Sequence, residues 1–313
     1  MTVCIDKYID KLTRLRVGYV GSHGRPHKPA ILLAIMSMVE TGRLNVNRIT
    51  YSADLYDLFK KYFAIVKTEH DAVNMRDPFW RLRTDGLIEH CANAGFEASI
   101  ETDPNPPTVG RLQRVCSYSA LPADFYSLLC NPDSRRQLRQ SLIERYFADK
   151  AVEIEQVICE ERGIGAYEQT LEKMVETDER NPLAPTEAIR SQAFRRVVLR
   201  AYDYRCAACG LRVILDDLVL AEAAHLIPYA TSRDDDPRNG MALCKNHHWA
   251  MDRHLIAPTT HLNWRISGCL DDRIEGQKDL IDLNGRSVIL PKQPKYHPKT
   301  KSLRWRQRKL IPA

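Results

Sequence analysis

Two short stretches of this 313-residue chain carry metal-binding residue types at the spacing that metals need. Cys206-Ala207-Ala208-Cys209-Gly210 sets two thiols two residues apart, with a glycine behind them that permits a tight turn. Cys244-Lys245-Asn246-His247 begins 35 residues after Cys209 and offers a thiol and an imidazole at ligand spacing. A lone CxxC also arises in redox motifs and by chance. Two such pairs make a Cys3His set suited to one tetrahedral Zn2+, the alternative being four buried side chains without an ion. A zinc with four protein ligands is closed and does no chemistry. The cluster therefore staples the fold, and reactive groups must lie between and just after the pairs. That interval holds Glu222-Ala223-Ala224-His225-Leu226-Ile227-Pro228, then Asp236-Pro237-Arg238-Asn239-Gly240, then His248 and Asp252.

Taken in order, CxxCG, AAHLIP, DPRNGMALC and HHWAMD resemble the HNH endonuclease superfamily, in its restriction-enzyme-like branch, over residues 192–260. The resemblance implies a ββα unit around one divalent cation, Mg2+ or Mn2+, hydrolysing DNA to 5′-phosphate and 3′-hydroxyl ends. Such hydrolysis needs a base to activate water and a cation to neutralise charge on the phosphate and the leaving oxygen. By the resemblance, His225 at the end of the first strand is the general base. Asn239 orients that histidine and braces the hairpin, and His248 on the helix binds the catalytic metal. Residues 247 and 248 are adjacent on a helix and diverge by about 100°. One therefore faces the zinc and the other the catalytic cation. Asp252 follows His248 by four residues, on the same helix face. As second metal ligand it competes with Glu222, and an ordinary solvated helix charge is the other reading of Asp252. The position before the base, often an acid or histidine in the family, is Ala224. His254 and His261 fall outside the pattern and are read as non-catalytic.

Three regions must position these groups: 1–148, an acidic linker helix and hinge at 149–190, and 191–313, the nuclease domain. In the first, His27-Lys28-Pro29 leads into residues 30–36, apolar all round, which reads as a central buried helix closed by Gly42. Leu55, Leu58, Phe59, Phe63 and Val66 make a helical stripe over 54–66. Pro78-Phe79-Trp80-Arg81-Leu82-Arg83 reads as a short strand or helix end, Asp85-Gly86 as a turn and Leu87-Ile88 as a strand. Residues 103–107 form a proline-rich loop, and 134–147 a helix capped by Asp133 or Ser134. Residues 149–182 alternate charge with Val152, Ile154, Val157 and Ile158 and end at the hinge Asn181-Pro182-Leu183-Ala184-Pro185. In the third region, a basic helix over 193–200 precedes the cysteines. A Lys- and Arg-rich tail with Trp305 ends the chain and could grip phosphates.

The first region resembles the sulfur-binding domain of type IV restriction enzymes. The likeness rests on Leu15-Arg16-Val17, His23, Pro26-His27-Lys28-Pro29-Ala30-Ile31-Leu32-Leu33-Ala34 and Asn47-Arg48-Ile49. It continues in Pro78-Phe79-Trp80-Arg81-Leu82 with Asp85-Gly86, and in Leu142-Ile143-Glu144-Arg145-Tyr146-Phe147. It implies recognition of phosphorothioate DNA. Sulfur is softer and less well hydrated than oxygen, so an apolar cup can select it while cations hold the phosphate charge. The resemblance places Pro78 in the cup and makes Arg16, His23, Arg25 and Arg81 candidates for backbone or base contacts. The residue before the proline, often aromatic in the family, is Asp77, whose carboxylate would repel a phosphorothioate: either it points away, or the domain reads a different modification. For Arg16 and Arg81, surface ion pairing stands beside DNA contact.

Composition agrees with a soluble two-domain protein: 44% of residues are hydrophobic and 27% charged. The longest apolar run, 30–39, is far too short to span a bilayer. The first residues lack a signal-peptide layout, so the expected location is the cytoplasm, with no membrane partner. Net charge is +6, yet residues 149–180 hold ten acids against four bases, leaving the remainder strongly basic and suited to a polyanion. Cys4, Cys91, Cys116, Cys130, Cys159 and Cys269 are scattered like free thiols of a reducing compartment. The expected fold class is α+β: a mainly helical DNA reader followed by a ββα-metal nuclease with structural zinc. The expected function is a modification-dependent restriction endonuclease, cutting both strands as a homodimer or by two successive nicks. Two rivals remain: a nuclease triggered by a modified base or by unmodified DNA, and a non-catalytic zinc-stapled DNA-binding protein.

Overall fold

A computed structural model describes residues 5–21, 23–102, 105–178, 185–215 and 218–312. The expected hinge at 181–184, the start of the proline-rich loop at 103–104, Cys4 and Glu179 lie outside the described residues. The chain is α+β and divides into two compact units, Met1–Gly165 and Ala166–Ala313. Among the described residues no helix is long and apolar enough to cross a membrane.

The first unit runs α1 (Ile5–Thr13), β1 (Tyr19–Val20), β2 (His23–Gly24), α2 (His27–Glu40), α3 (Ala53–Val66), α4 (Arg76–Arg81), a 3-10 turn (Leu82–Asp85), and β3 (Glu89–Ala92). It continues with α5 (Glu97–Thr102), α6 (Val109–Val115), β4 (Cys116–Ala120), α7 (Ala123–Cys130), α8 (Pro132–Tyr146) and the first half of α9 (Ala151–Thr177). α2 is buried on every side from His27 to Met38, as its unbroken apolar run requires. α3 packs on it through Leu55, Leu58, Phe59 and Phe63. A hydroxyl pair in this interior, Ser37 with Tyr62 at 2.6 Å, satisfies both groups, and burial pushes the Tyr62 phenol up to about 12. Lys28 meets Asp85 at 2.5 Å in a buried ion pair, joining the start of α2 to the turn after α4.

Three local readings change. Residues 78–82 are helical, and the following strand begins at Glu89 rather than Leu87, because Gly86 (φ 63) turns the chain and Leu87 and Ile88 fill the core. α8 is capped neither by Asp133 nor by Ser134. Asn131 accepts hydrogen bonds from both of their backbone amides at 3.0 Å, and Pro132 takes the first helical position. α9, expected as a linker helix, is not a bare linker in its first half: Glu161 is buried and accepts from Arg43 at 2.6 Å and Lys61 at 2.7 Å. Ile154 and Ile158 beside it join the core of this unit. Gly165 allows that approach, since a Cβ there would lie 2.7 Å from the Thr41 side chain.

The second unit contains the rest of α9, α10 (Glu187–Ala201), β5 (Ile214–Leu215), β6 (Leu218–Val219), β7 (Ala221–His225), α11 (Tyr229–Ser232), and a 3-10 turn (Pro237–Asn239). Then come β8 (Gly240–Cys244), α12 (Lys245–Asp252), β9 (Ile256–Pro258), β10 (Trp264–Ile266), α13 (Lys278–Ile281) and α14 (Thr300–Arg308). β7 and β8 pair antiparallel from Ala221↔Cys244 to His225↔Gly240, and α12 follows at once and packs back on both strands. This is a ββα unit. α10 covers the hairpin, and its basic character is mostly used inside the unit. Arg196 is buried and, with Arg200, pairs with the buried Glu168 of α9. The hairpin is built of small residues (Ala221, Ala223, Ala224, Gly240, Ala242), which lets α10 lie close. A Cβ on Gly240 would stand 2.5 Å from Val198 and 2.8 Å from Phe194 of α10.

Candidate functional site

The ligand atoms of Cys206, Cys209, Cys244 and His247 all lie within 4.8 Å of one another. His247 Nδ1 is 2.9 Å from the Cys244 sulfur and 3.5 Å from that of Cys206. Zinc bonds of about 2.3 Å to sulfur and 2.0 Å to nitrogen put tetrahedral neighbours about 3.5–3.8 Å apart, so the cluster fits a zinc ion with little adjustment. Gly210 adopts φ 75, and its amide donates to the Cys206 carbonyl at 2.9 Å, closing the turn behind the first thiol pair. The Cys206 and Cys244 thiols are hydrogen-bonded to each other, which lowers the first and raises the second, so the two titrate as a pair.

His225 ends β7; two side chains hold its imidazole and a third holds its backbone. The Phe194 ring of α10 stacks on it at 3.8 Å with an interplanar angle of 6°. Its Nε2 meets the Asp235 carboxylate at 3.0 Å. Arg306 of α14 donates to the His225 carbonyl at 2.8 Å, to the Leu226 carbonyl at 2.7 Å and to the Met251 carbonyl at 3.1 Å. Arg306 is fully buried, and burial lowers its pKa. Three carbonyls therefore solvate it in place of water. Asp235 is itself buried and receives Arg190 Nη1 at 2.8 and 3.0 Å and the Tyr167 hydroxyl at 3.4 Å. The Arg190 guanidinium stacks over Tyr229 at 3.5 Å.

Asn239 is wholly buried. Its Oδ1 accepts from the Ile227 amide at 3.0 Å, and its Nδ2 donates to the carbonyls of Ile227 at 3.0 Å and Asp234 at 3.1 Å. It thereby ties both arms of the β7–β8 connection, one just after His225 and the other just before Asp235. His248 and His247 face two sites, as adjacent helical residues must. His248 Nδ1 meets Glu222 at 2.9 Å, and Nε2 meets Asp252 at 3.3 Å. The two acids thus flank opposite edges of the ring. Glu222, His225 and His248 line one cleft of about 490 Å³ with Arg190, Phe194 and Tyr229; Asp252 is not among its walls and has Arg306 at 3.8 Å instead. Sequence spacing did not point to Asp235, Arg190, Phe194 or Arg306. The run Asp234-Asp235-Asp236 was the one available signal for the first of them.

In the first unit, Arg16, Arg25 and Arg81 are exposed, and none of their guanidinium groups has an ion-pair partner among the described residues. The Arg16 amide donates to Asp85 at 3.0 Å, which ties it to the turn that follows Arg81. His23 Nε2 meets the buried Asp71 at 2.8 Å. Pro78 is buried in the first turn of α4. Asp77, beside it, is held by Arg76 at 2.8 Å, so its charge is balanced locally.

Residues 5–163, more than half the chain, match the family "ScoMcrA-like, DNA sulfur-binding domain". The chain belongs to that family. Residues 206–257 match the family "HNH endonuclease", so a DNA sulfur-binding domain and an HNH domain occupy the two halves of this member. Among solved structures it is similar to one titled "Modification dependent TagI restriction endonuclease", at 23% identity and a TM-score of 0.30. That match covers 39% of this chain and 39% of the other, so the chain matches about two-fifths of that protein's length. No curated protein matches the chain.

Proposed function

We propose that this protein is a phosphorothioate-dependent DNA endonuclease in which the first unit reads the modified backbone and the ββα unit hydrolyses it. The observation that carries the reading is the cleft in which His225, with one nitrogen committed to Asp235, meets His248 and Glu222. A carboxylate can only accept a hydrogen bond, so Nε2 of His225 must carry the proton. In the neutral ring, Nδ1 is then the lone-pair nitrogen, able to take a proton from water. Arg190 balances the Asp235 charge, Phe194 fixes the ring plane, and Asn239 and Arg306 hold the chain on either side of His225. His248 with Glu222 would hold a divalent cation, Mg2+ or Mn2+, on the cleft edge of the ring. Bound there, such a cation supplies charge neutralisation at the phosphate and the leaving oxygen. Asp252 on the far edge serves the helix and Arg306 rather than the cation.

In the reader, Arg16, Arg25 and Arg81 supply exposed positive charge for the backbone, and His23 is held ready by Asp71. Pro78, buried in α4 with Phe79 and Trp80, is the apolar surface assigned to the sulfur, a poorly hydrated wall. One feature favours a second reading, a modified base: Phe79 lines a pocket of about 200 Å³ with Tyr51, Leu112 and Tyr118, aromatic walls of the kind that receive an extruded base. Two experiments test the proposal. Wild type and His225→Ala are compared for cleavage with Mg2+ or Mn2+; equal cutting by both removes the nuclease reading. Binding is compared on matched phosphorothioate, methylated and plain duplexes; tight binding of the first alone is expected, and equal affinity for all three removes the sulfur reading.

A further inference from the structure

A basic concavity of the second unit lies outside the cleft just described. Between residues 292 and 309 the chain carries eight basic residues and no acid. Several of them are used internally: Lys295 pairs with Glu176 at 3.0 Å, Lys299 with Asp236 at 2.7 Å, and Arg306 is buried against carbonyls. Arg304 and Arg308 are exposed, without an ion pair among the described residues, and four apart on one face of α14. They converge with the exposed Arg265 of β10 on a cleft of about 800 Å³. Gln307, Asn284 and Thr260 add polar groups to its wall, and among the described residues no acidic side chain lines it.

We propose that this cleft is a phosphate-binding site for the DNA backbone flanking the scissile bond, with Arg265, Arg304 and Arg308 as its contacts. Forked guanidinium groups from two separate elements suit successive phosphates, and the missing carboxylates leave their charge available to a polyanion. The cleft is also mechanically linked to the reacting centre. Arg306, two residues from both Arg304 and Arg308 and about 200° round the helix, is the side chain that grips the His225 carbonyl. DNA drawn onto the outer face of α14 is thereby placed within about one helix diameter, roughly 10 Å, of the strand end that carries His225.

The inference rests on DNA being the substrate, and its test separates the two claims. The full chain is titrated with a phosphorothioated 30-base-pair duplex at several salt concentrations, using wild type and the triple variant Arg265→Gln, Arg304→Gln, Arg308→Gln. Each phosphate contact contributes about 0.9 to the slope of log affinity against log salt, so the variant should lose about 2 to 3 from that slope. Its single-turnover cleavage rate at saturating enzyme should stay close to wild type. The all-Lys version of the triple should recover most of the slope, which guards against a folding defect. A control triple with the same change in net charge removes Arg212, Arg273 and Lys278, each already paired with a neighbouring acid, and should leave the slope unchanged. Equal slopes for wild type and variant, or equal losses in variant and control, overturn the cleft while leaving the nuclease reading intact. Wild type that shows no salt-dependent DNA binding overturns both.

Discussion

The Asp235→Asn substitution tests the assignment of His225 most severely, because it changes one atom's chemistry and almost no volume. Asp235 is buried and offers two oxygens to donors: Arg190 at 2.8 and 3.0 Å, Tyr167 at 3.4 Å and His225 at 3.0 Å. An asparagine keeps one oxygen, and Arg190, which can only donate, must take it. The new NH2 then faces His225 Nε2 and can pair with it only by donating. The imidazole proton is driven to Nδ1, and the lone pair turns away from the water it should activate. A positioned general base contributes about 10²–10⁴-fold, so kcat should fall by that factor, about 3–5 kcal/mol of barrier. DNA affinity should change less than threefold. The assay is single-turnover cleavage of an end-labelled duplex at saturating enzyme, with thermal unfolding measured in parallel. Asp235→Asn added to His225→Ala should cost nothing further, since both act through one imidazole. A single variant cutting within threefold of wild type, or a double variant losing the product of the two factors, would refute the tautomer argument.

Other outcomes follow from the same geometry. Gly240→Ala forces a Cβ to within 2.5 Å of Val198 and 2.8 Å of Phe194, an overpacking worth about 1–3 kcal/mol. The ring stacked on His225 moves with it, so kcat should fall more than affinity; wild-type activity with an unchanged Tm would contradict the role given to Phe194. Structural zinc in small domains contributes about 10–16 kcal/mol, comparable with a domain's whole stability. Elemental analysis should therefore find one zinc per chain, and Cys209→Ala or strong chelation should melt the second unit at lower temperature. Cys130→Ala and Cys159→Ala, exposed thiols outside the cluster, should change neither. Burial between Trp80 and Ser119 holds His90 at about 4, below the 6.5 of a free histidine. Folded His90 stays neutral where the unfolded chain takes up a proton, so its contribution is complete above pH 6.5 and drains away between 6.5 and 4. The difference is about 3 kcal/mol. Denaturant midpoints of wild type should drop across that window, and those of His90→Gln should drop less.

How far the sequence carried this reading differs from residue to residue. Cys206, Cys209, Cys244 and His247 could be found because a turn and a helix start bring each pair together within four residues, so ligand spacing is local. His225, Asn239 and His248 came from ordered motifs whose ββα geometry is equally compact. Asp235 and Arg190 meet across 45 residues, and Arg306 reaches back 81 to His225; no periodicity records such contacts. The acidic segment is the most instructive case. Composition separated it from a basic body, but Glu161 and Glu168 are buried against Arg43, Lys61, Arg196 and Arg200, so the charge contrast is partly an internal pairing. The choice between Glu222 and Asp252 was undecided by spacing because strand and helix positions both reach His248; the two acids meet opposite edges of its ring, and the proposal takes the edge that faces the cleft.

The most direct test of the central claim is a single-tube competition. Three duplexes of one sequence, phosphorothioated, base-methylated and plain, carry different labels and are incubated with limiting enzyme in Mg2+ or Mn2+. Wild type should cut the phosphorothioated duplex first and by a wide margin, and His225→Ala should cut none while still retaining that duplex in a binding assay. Cleavage of all three at one rate, or cleavage that survives in His225→Ala, would contradict the central claim.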